Sequence, residues 1–237
     1  MEKHPDSPII ISIEGNIGSG KSTIMEYLKN NFDTHIQTNI NTPNNTNLNN
    51  TNLKICYLQE PVDVWNSFTD ENGINVIEAY YKDQEKYAFP FQMMAYISRL
   101  SQLKNAIDKK YDIIFTERSI HTDKNVFAKM LYNDKKIGEI EYKIYNKWFY
   151  EFSECIKNMK IVYVKSNHEI CFDRVIKRNR KGEIIPLEYL KLCNDYHEDW
   201  LIQYPNKIII DGNIDNEKDY SYYDDIVRLI KNLCNLD

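Results

Sequence analysis

A near-continuous apolar run, Ile9–Glu14, leads into Gly15-Asn16-Ile17-Gly18-Ser19-Gly20-Lys21-Ser22-Thr23, and a helical pattern follows at once. The nine residues fit GxxxxGK[ST], in the strand-before, helix-after setting where that spacing holds a triphosphate. Each residue type has a physical reason. Glycines let successive backbone N–H groups curl inward around phosphate oxygens, and the helix behind presents its positive end. Lys21 supplies a mobile cation for the β and γ oxygens, and the Ser22 hydroxyl is a ligand for Mg²⁺. The chain has only seven glycines in 237 residues, less than half the usual ~7%. Three of them stand at 15, 18 and 20, so a chance match is rare and the loop fixes a strand–loop–helix unit.

The remaining pattern extends that unit. Ile9–Glu14, Lys54–Leu58, Asp112–Thr116, Lys160–Lys165 and Lys207–Ile210 are short apolar runs of the kind covered on both faces. Helical patterns lie between them at about 21–31, 74–108 (broken near Pro90), 120–132, 138–157, 167–178, 186–203 and 217–235. Strands alternating with helices predict an α/β fold: a five-stranded, parallel, doubly wound sheet with helices on both faces. In 138–157 the apolar residues Ile140, Ile144, Tyr145, Trp148, Phe149, Phe152 and Ile156 recur at helical spacing, as a core stripe or a dimer face. Residues 38–53, rich in asparagine, are expected to be a disordered insertion in what is otherwise a single domain over 1–237.

Composition excludes several classes. Mean hydropathy is −0.59 and no apolar run approaches 18 residues, so no membrane-spanning helix is expected. The N-terminal apolar run enters the glycine turn and not a cleavage site, which excludes a signal peptide and points to the cytoplasm. Five scattered cysteines without a CxxC pair, and five histidines without HExxH, encode no disulfide framework and no metal cage. A net charge of −5 argues against a nucleic-acid-coating protein.

Residues after the other strands narrow the chemistry. Glu60, in Gln59-Glu60-Pro61-Val62-Asp63-Val64-Trp65, follows the second strand, and strand carboxyl ends form the ligand crevice of such a sheet. A phosphate acceptor needs no base, whereas a sugar hydroxyl must lose a proton as it attacks, so Glu60 points to an alcohol acceptor. Glu117-Arg118-Ser119 puts a carboxylate for Mg²⁺ and a guanidinium for phosphate oxygens on the same rim. Arg174, Arg178 and Arg180 read as a lid that closes over the triphosphate; a solvated helix end or an RNA-binding patch is the other reading. The base-reading NKxD of signalling GTPases is missing, because Asn146-Lys147-Trp148-Phe149 lacks the Asp.

The blocks IEGNIGSGKST, QEPVDVW, FPFQMMAYISRL, FTERSIHTD, RVIKRNR and IPLEYL…YHEDWL together resemble the deoxynucleoside kinase family, over about residues 9–202. The resemblance implies a P-loop kinase with an arginine lid, ATP as phosphate donor, Mg²⁺, a deoxynucleoside substrate and a homodimer packed through helices. It implies that Glu60 is the general base on the 5′-hydroxyl, with Arg118 beside it. Lys21, Ser22 and Glu117 would handle phosphates and Mg²⁺, and Asp211–Asn216 would lie near the donor adenine. Gln92 would pair with the base edge, Phe91, Phe127 and Trp65 would sandwich the base, and Tyr81 and Glu183 would hold the 3′-hydroxyl. The lid is one residue shorter than in the deoxycytidine kinase pattern, and Glu183 is aligned across that difference. Ala95, Arg99 and Asp123 match the deoxycytidine and purine branch, which implies deoxycytidine or a purine deoxynucleoside ahead of thymidine. A thymidylate-type nucleoside monophosphate kinase shares the fold and loop and is the alternative; a regulatory subunit without catalysis is a further one.

Overall fold

The computed structural model describes residues 7–40, 53–156, 159–180, 183–214 and 220–236. Five strands, β1 (Ile9–Glu14), β2 (Ile55–Leu58), β3 (Ile113–Glu117), β4 (Lys160–Lys165) and β5 (Lys207–Asp211), form one sheet in the order β2-β3-β1-β4-β5. Every pairing is parallel, with Ile11 opposite Phe115 in β3 and Ile13 opposite Val162 in β4. The helices are α1 (Lys21–Ile40), α2 (Val62–Ser67), α3 (Val76–Lys82), α4 (Gln84–Asp108), α5 (Ile120–Thr122), α6 (Lys129–Asn133), α7 (Glu139–Phe152), α8 (His168–Arg178), α9 (Leu187–Leu201) and α10 (Tyr220–Cys234).

The pleat divides each strand between two cores. Ile11, Ile13, Ile113, Phe115, Val162 and Val164 face one side, where Ile24, Leu28 and Phe32 of α1 and Ile226 and Ile230 of α10 cover them. Ile10, Ile114, Ile161 and Tyr163 face the other, under Tyr96, Leu100 and Leu103 of α4 and Tyr145 and Phe149 of α7. With both faces covered, the strands can be apolar throughout, which is the pattern the sequence shows.

Several expectations shift. α1 continues to Ile40, beyond the expected end near 31, and its stripe Ile24, Leu28, Phe32 packs on the sheet. Residues 38–40 of the expected insertion therefore belong to that helix, and 41–52 lie outside the described residues. The break expected near Pro90 falls at Asp83, and Pro90 sits within α4. Asp83 ends one helix and starts the next: its N–H donates to Ala79, and its carboxylate accepts from the Lys86 N–H. The helix α2 after Pro61 was not expected. The helix expected over 120–132 contains a π-helical turn, Asp123–Ala128, between α5 and α6.

The α7 stripe is split between roles. Tyr145 and Phe149 are core, while Ile140, Ile144, Trp148 and Phe152 are exposed.

Candidate active site

An open cavity of about 1200 Å³ runs along the carboxyl ends of the strands, from the glycine loop and α8 to α3 and α4. At its phosphate end the loop is held open by glycine geometry. Gly18 has φ +80, and a Cβ there would stand 2.5 Å from the Cys171 carbonyl; a Cβ at Gly15 would stand 2.6 Å from that of Val164. No side chain fits either place without moving backbone. The Asn16 amide donates to the Leu190 carbonyl and to Asn194 Oδ1, tying the loop to α9.

Lys21 is buried, with Nζ donating to the Asn16 carbonyl at 2.6 Å. Burial, reinforced by the Arg118 cation, lowers its pKa to about 7. A triphosphate arriving there brings the anions that this ammonium lacks. Ser22 Oγ donates to Glu117 Oε1 at 2.7 Å. These two expected metal-holding groups thus stand together as hard oxygen donors at the first turn of α1, the ligand chemistry Mg²⁺ accepts alongside phosphates and water.

Glu60 stands between cations. Its Oε1 accepts from Arg118 Nη1 at 2.8 Å and from Arg99 Nη2 at 3.1 Å. Burial alone would raise this carboxyl; Arg118, Arg99 and Lys21 together outweigh burial and hold it down at about 2. Arg99 is shared three ways, since Nε donates to Asp123 Oδ2 at 3.0 Å and Nη1 to the Glu117 carbonyl at 2.7 Å. Arg118 lies 5.2 Å from the centre of the Phe127 ring, and its Nε and Nη2 are buried without a partner. A guanidinium with two donors to spare has the chemistry to bind phosphate oxygens.

The far end of the cavity is aromatic. Trp65 meets Phe91 edge to face at 5.7 Å and donates from Nε1 to Ser98 Oγ. No base fits between rings in contact, so Trp65 and Phe91 form one wall and not two sides of a slot. Phe127 lines the same cavity and also contacts Arg118 and His197. Gln92 and Ala95 are buried at this wall, and Gln92 Oε1 has no hydrogen-bond partner. Asp123 and Phe127 both lie in the π-helical turn, whose extra residue per turn changes which side chains face the cavity. Tyr81 lines the same space. So do Tyr80 and Tyr189, which the sequence reading missed: Tyr80 stacks on Phe91 at 4.7 Å, and its hydroxyl lies 3.1 Å from that of Tyr189. Inside a run of aromatics and a helical stripe, neither carried a signal that separates pocket wall from core.

Arg174, Arg178 and Arg180 all line the cavity. α8 stops at Arg178 because Asn179 takes a left-handed cap conformation, φ 47. Arg174 donates to the carbonyls of Gly212 and Ile214. Arg178 pairs with Glu183 at 2.6 Å, so in this state Glu183 is held by the lid arginine. Positions 215–216 of the expected adenine-side segment lie outside the described residues; Gly212, Asn213 and Ile214 line the cavity.

Comparison with known proteins agrees with this geometry. The family model "Deoxynucleoside kinase" matches residues 11–235. The chain belongs to the deoxynucleoside kinase family. Membership carries the reaction class: this is an ATP-dependent deoxynucleoside kinase. A fowlpox virus protein named "Probable deoxycytidine kinase" is 35% identical over 195 residues, covering 81% of this chain and 71% of its own length. Human deoxycytidine kinase is 33% identical, over 81% of this chain and 75% of its own. Human mitochondrial thymidine kinase 2 is 29% identical, over 85% and 68%. Among the described residues no helix is long and apolar enough to cross a membrane.

Proposed function

We propose that this kinase transfers the γ-phosphate of ATP to the 5′-hydroxyl of a deoxynucleoside in nucleotide salvage, with Glu60 receiving the hydroxyl proton. The observation that carries the reading is Glu60, set between Arg118 and Arg99 in the cavity that also holds the glycine loop. A carboxyl at about 2 is a weak base in the free protein. A triphosphate in the loop shares the charge of Lys21 and Arg118, which raises Glu60 toward a useful basicity when the nucleoside is ready to attack. Arg118 then turns its two unpaired N–H groups to the transferring phosphoryl oxygens. Arg174, Arg178 and Arg180 close over the triphosphate, and Arg178 exchanges Glu183 for phosphate, freeing Glu183 to join Tyr81 at the 3′-hydroxyl. Ser22 and Glu117 would hold Mg²⁺, which would neutralise phosphate charge when bound.

The Arg99–Asp123 pair sets the acceptor. It is buried at the wall beside Ala95 and Gln92, and a thymine 5-methyl pressed on it would separate charges that cannot be rehydrated. Deoxycytidine, deoxyadenosine or deoxyguanosine is accordingly preferred to thymidine, with Gln92 on the base edge and Phe91, Trp65 and Phe127 against the ring faces. Turnover of nucleosides against their 5′-monophosphates separates this reading from a thymidylate-type monophosphate kinase.

We further read the chain as one cytoplasmic domain that works as a homodimer. Ile97 of α4 and Ile140, Ile144, Trp148 and Phe152 of α7 are exposed, with Trp148 and Phe152 stacked at 5.8 Å. α4 packs against α7, so these residues belong to neighbouring helices. Light scattering is expected to give twice the chain mass for the wild type and the single mass for Trp148→Glu; a monomeric wild type would sink the dimer.

A further inference from the structure

Glu14 ends β1 and is fully buried, in a strand otherwise filled by isoleucines and Ser12. Its Oε1 accepts from Ser12 Oγ at 2.6 Å and Ser119 Oγ at 2.7 Å, and its Oε2 accepts from the Thr122 hydroxyl. A strand that only had to pack would gain more from another isoleucine, since burying a carboxyl with three hydroxyls costs desolvation that apolar contact does not.

What those hydroxyls hold explains the arrangement. Ser119 is the N-cap of α5 and Thr122 its third residue. The residue immediately before Ser119 is Arg118, whose φ is +61, a left-handed conformation that side chains other than glycine rarely adopt. Its backbone is gripped on each side: the N–H donates to the Ile13 carbonyl at 3.0 Å, and the carbonyl accepts from Thr116 Oγ1 at 2.8 Å. Ser12 lies opposite Thr116 in the sheet. Glu14 therefore ties together the strand before the glycine loop and the turn that carries Arg118. Strained backbone persists where the surroundings over-determine it, and it clusters at sites of function.

We propose that Glu14 is a positioning residue for phosphoryl transfer: through Ser119 and Thr122 it locks the left-handed turn that aims Arg118 at Glu60 and the phosphates. The proposal rests on the reading of Glu60 and Arg118 given above. Glu14→Gln keeps the shape but removes the charge and one acceptor oxygen, so at least one of the three hydroxyls that now donate must turn round and the turn is held less tightly. Misplacing a catalytic group by a fraction of its proper geometry lowers turnover without touching substrate affinity. The expected loss in kcat is about 10- to 100-fold, with KM for ATP and nucleoside within about threefold.

The deciding measurement is a double-mutant cycle with Arg118→Lys, counting label from [γ-³²P]ATP so that residual turnover is measurable in every variant. If Glu14 acts through Arg118, Glu14→Gln costs less than about twofold once Arg118 is already replaced. Equal losses in both backgrounds overturn the proposal and leave Glu14 as a fold element only. Should Glu14→Gln fail to fold, Ser119→Ala enters the same cycle with the same expectation. A wild type that labels no nucleoside overturns the underlying reading instead; a wild type that does, with losses that multiply, overturns this proposal alone.

Discussion

Glu60→Gln is expected to lower nucleoside turnover about 100- to 10,000-fold, the range over which a positioned base contributes, while ATP still binds. The glutamine amide keeps the length of the side chain but cannot take the 5′-hydroxyl proton. Its carbonyl oxygen can still accept from the Arg118 and Arg99 guanidiniums that now meet Glu60 Oε1 at 2.8 and 3.1 Å, so the substitution removes the charge and the base while keeping the shape. On the proposed reading ATP is held by the glycine loop, Lys21 and the arginines of the lid, none of which hydrogen-bonds this carboxyl. Steady-state kcat with ATP binding measured by calorimetry separates the two effects, and a drop of less than about tenfold in kcat would remove Glu60 from the chemistry.

The same residue has a defined pH signature. Its folded pKa of about 2 lies below the ordinary 4.5. The stability its pairing contributes is therefore complete above that ordinary value and is lost as pH falls through about 2. From pH 5 upward, Glu60 adds no slope to the stability curve.

Arg99→Met is expected to destabilise the fold by about 3–5 kcal/mol, the usual cost of removing one partner from a buried ionic group. One guanidinium now serves Asp123, Glu60 and the Glu117 carbonyl, all at 3.1 Å or less. Its loss strands Asp123, which is only 2% exposed. Adding Asp123→Leu to Arg99→Met removes the stranded charge and is expected to recover a large part of the loss. Urea denaturation of the two variants checks this. A loss below about 1 kcal/mol in Arg99→Met, or no recovery in the double variant, would show that the pair is not a closed buried network.

The glycine loop, the five strands and the carboxylate after β2 were readable because each depends on local sequence. Apolar runs report burial on both faces, and GxxxxGK[ST] reports a backbone shape only glycine permits. The break at Asp83 in place of Pro90 was misread because a proline within a helix marks a weak point, whereas the true end was set by an aspartate that caps both neighbours. Arg99 was expected to pair with Asp123. Its further bond to Glu60, 39 residues away in sequence, follows from the packing of α4 against β2 and has no local signature. Tyr80 and Tyr189 meet across 109 residues for the same reason. Glu14 was part of a recognised block, yet two of its three hydroxyl partners, Ser119 and Thr122, lie more than 100 residues away in the capping turn of α5, which only the assembled sheet brings beside β1.

The central claim is that the acceptor is a nucleoside hydroxyl. It is tested most directly by offering [γ-³²P]ATP and Mg²⁺ with deoxycytidine, deoxyadenosine, deoxyguanosine and thymidine, and separately with the four 5′-monophosphates. The account predicts label on the 5′-position of the free nucleosides, with kcat/KM for at least one of the first three well above that for thymidine. Label reaching only the monophosphates would contradict the claim, and a clear thymidine preference would contradict the role given to Arg99 and Asp123.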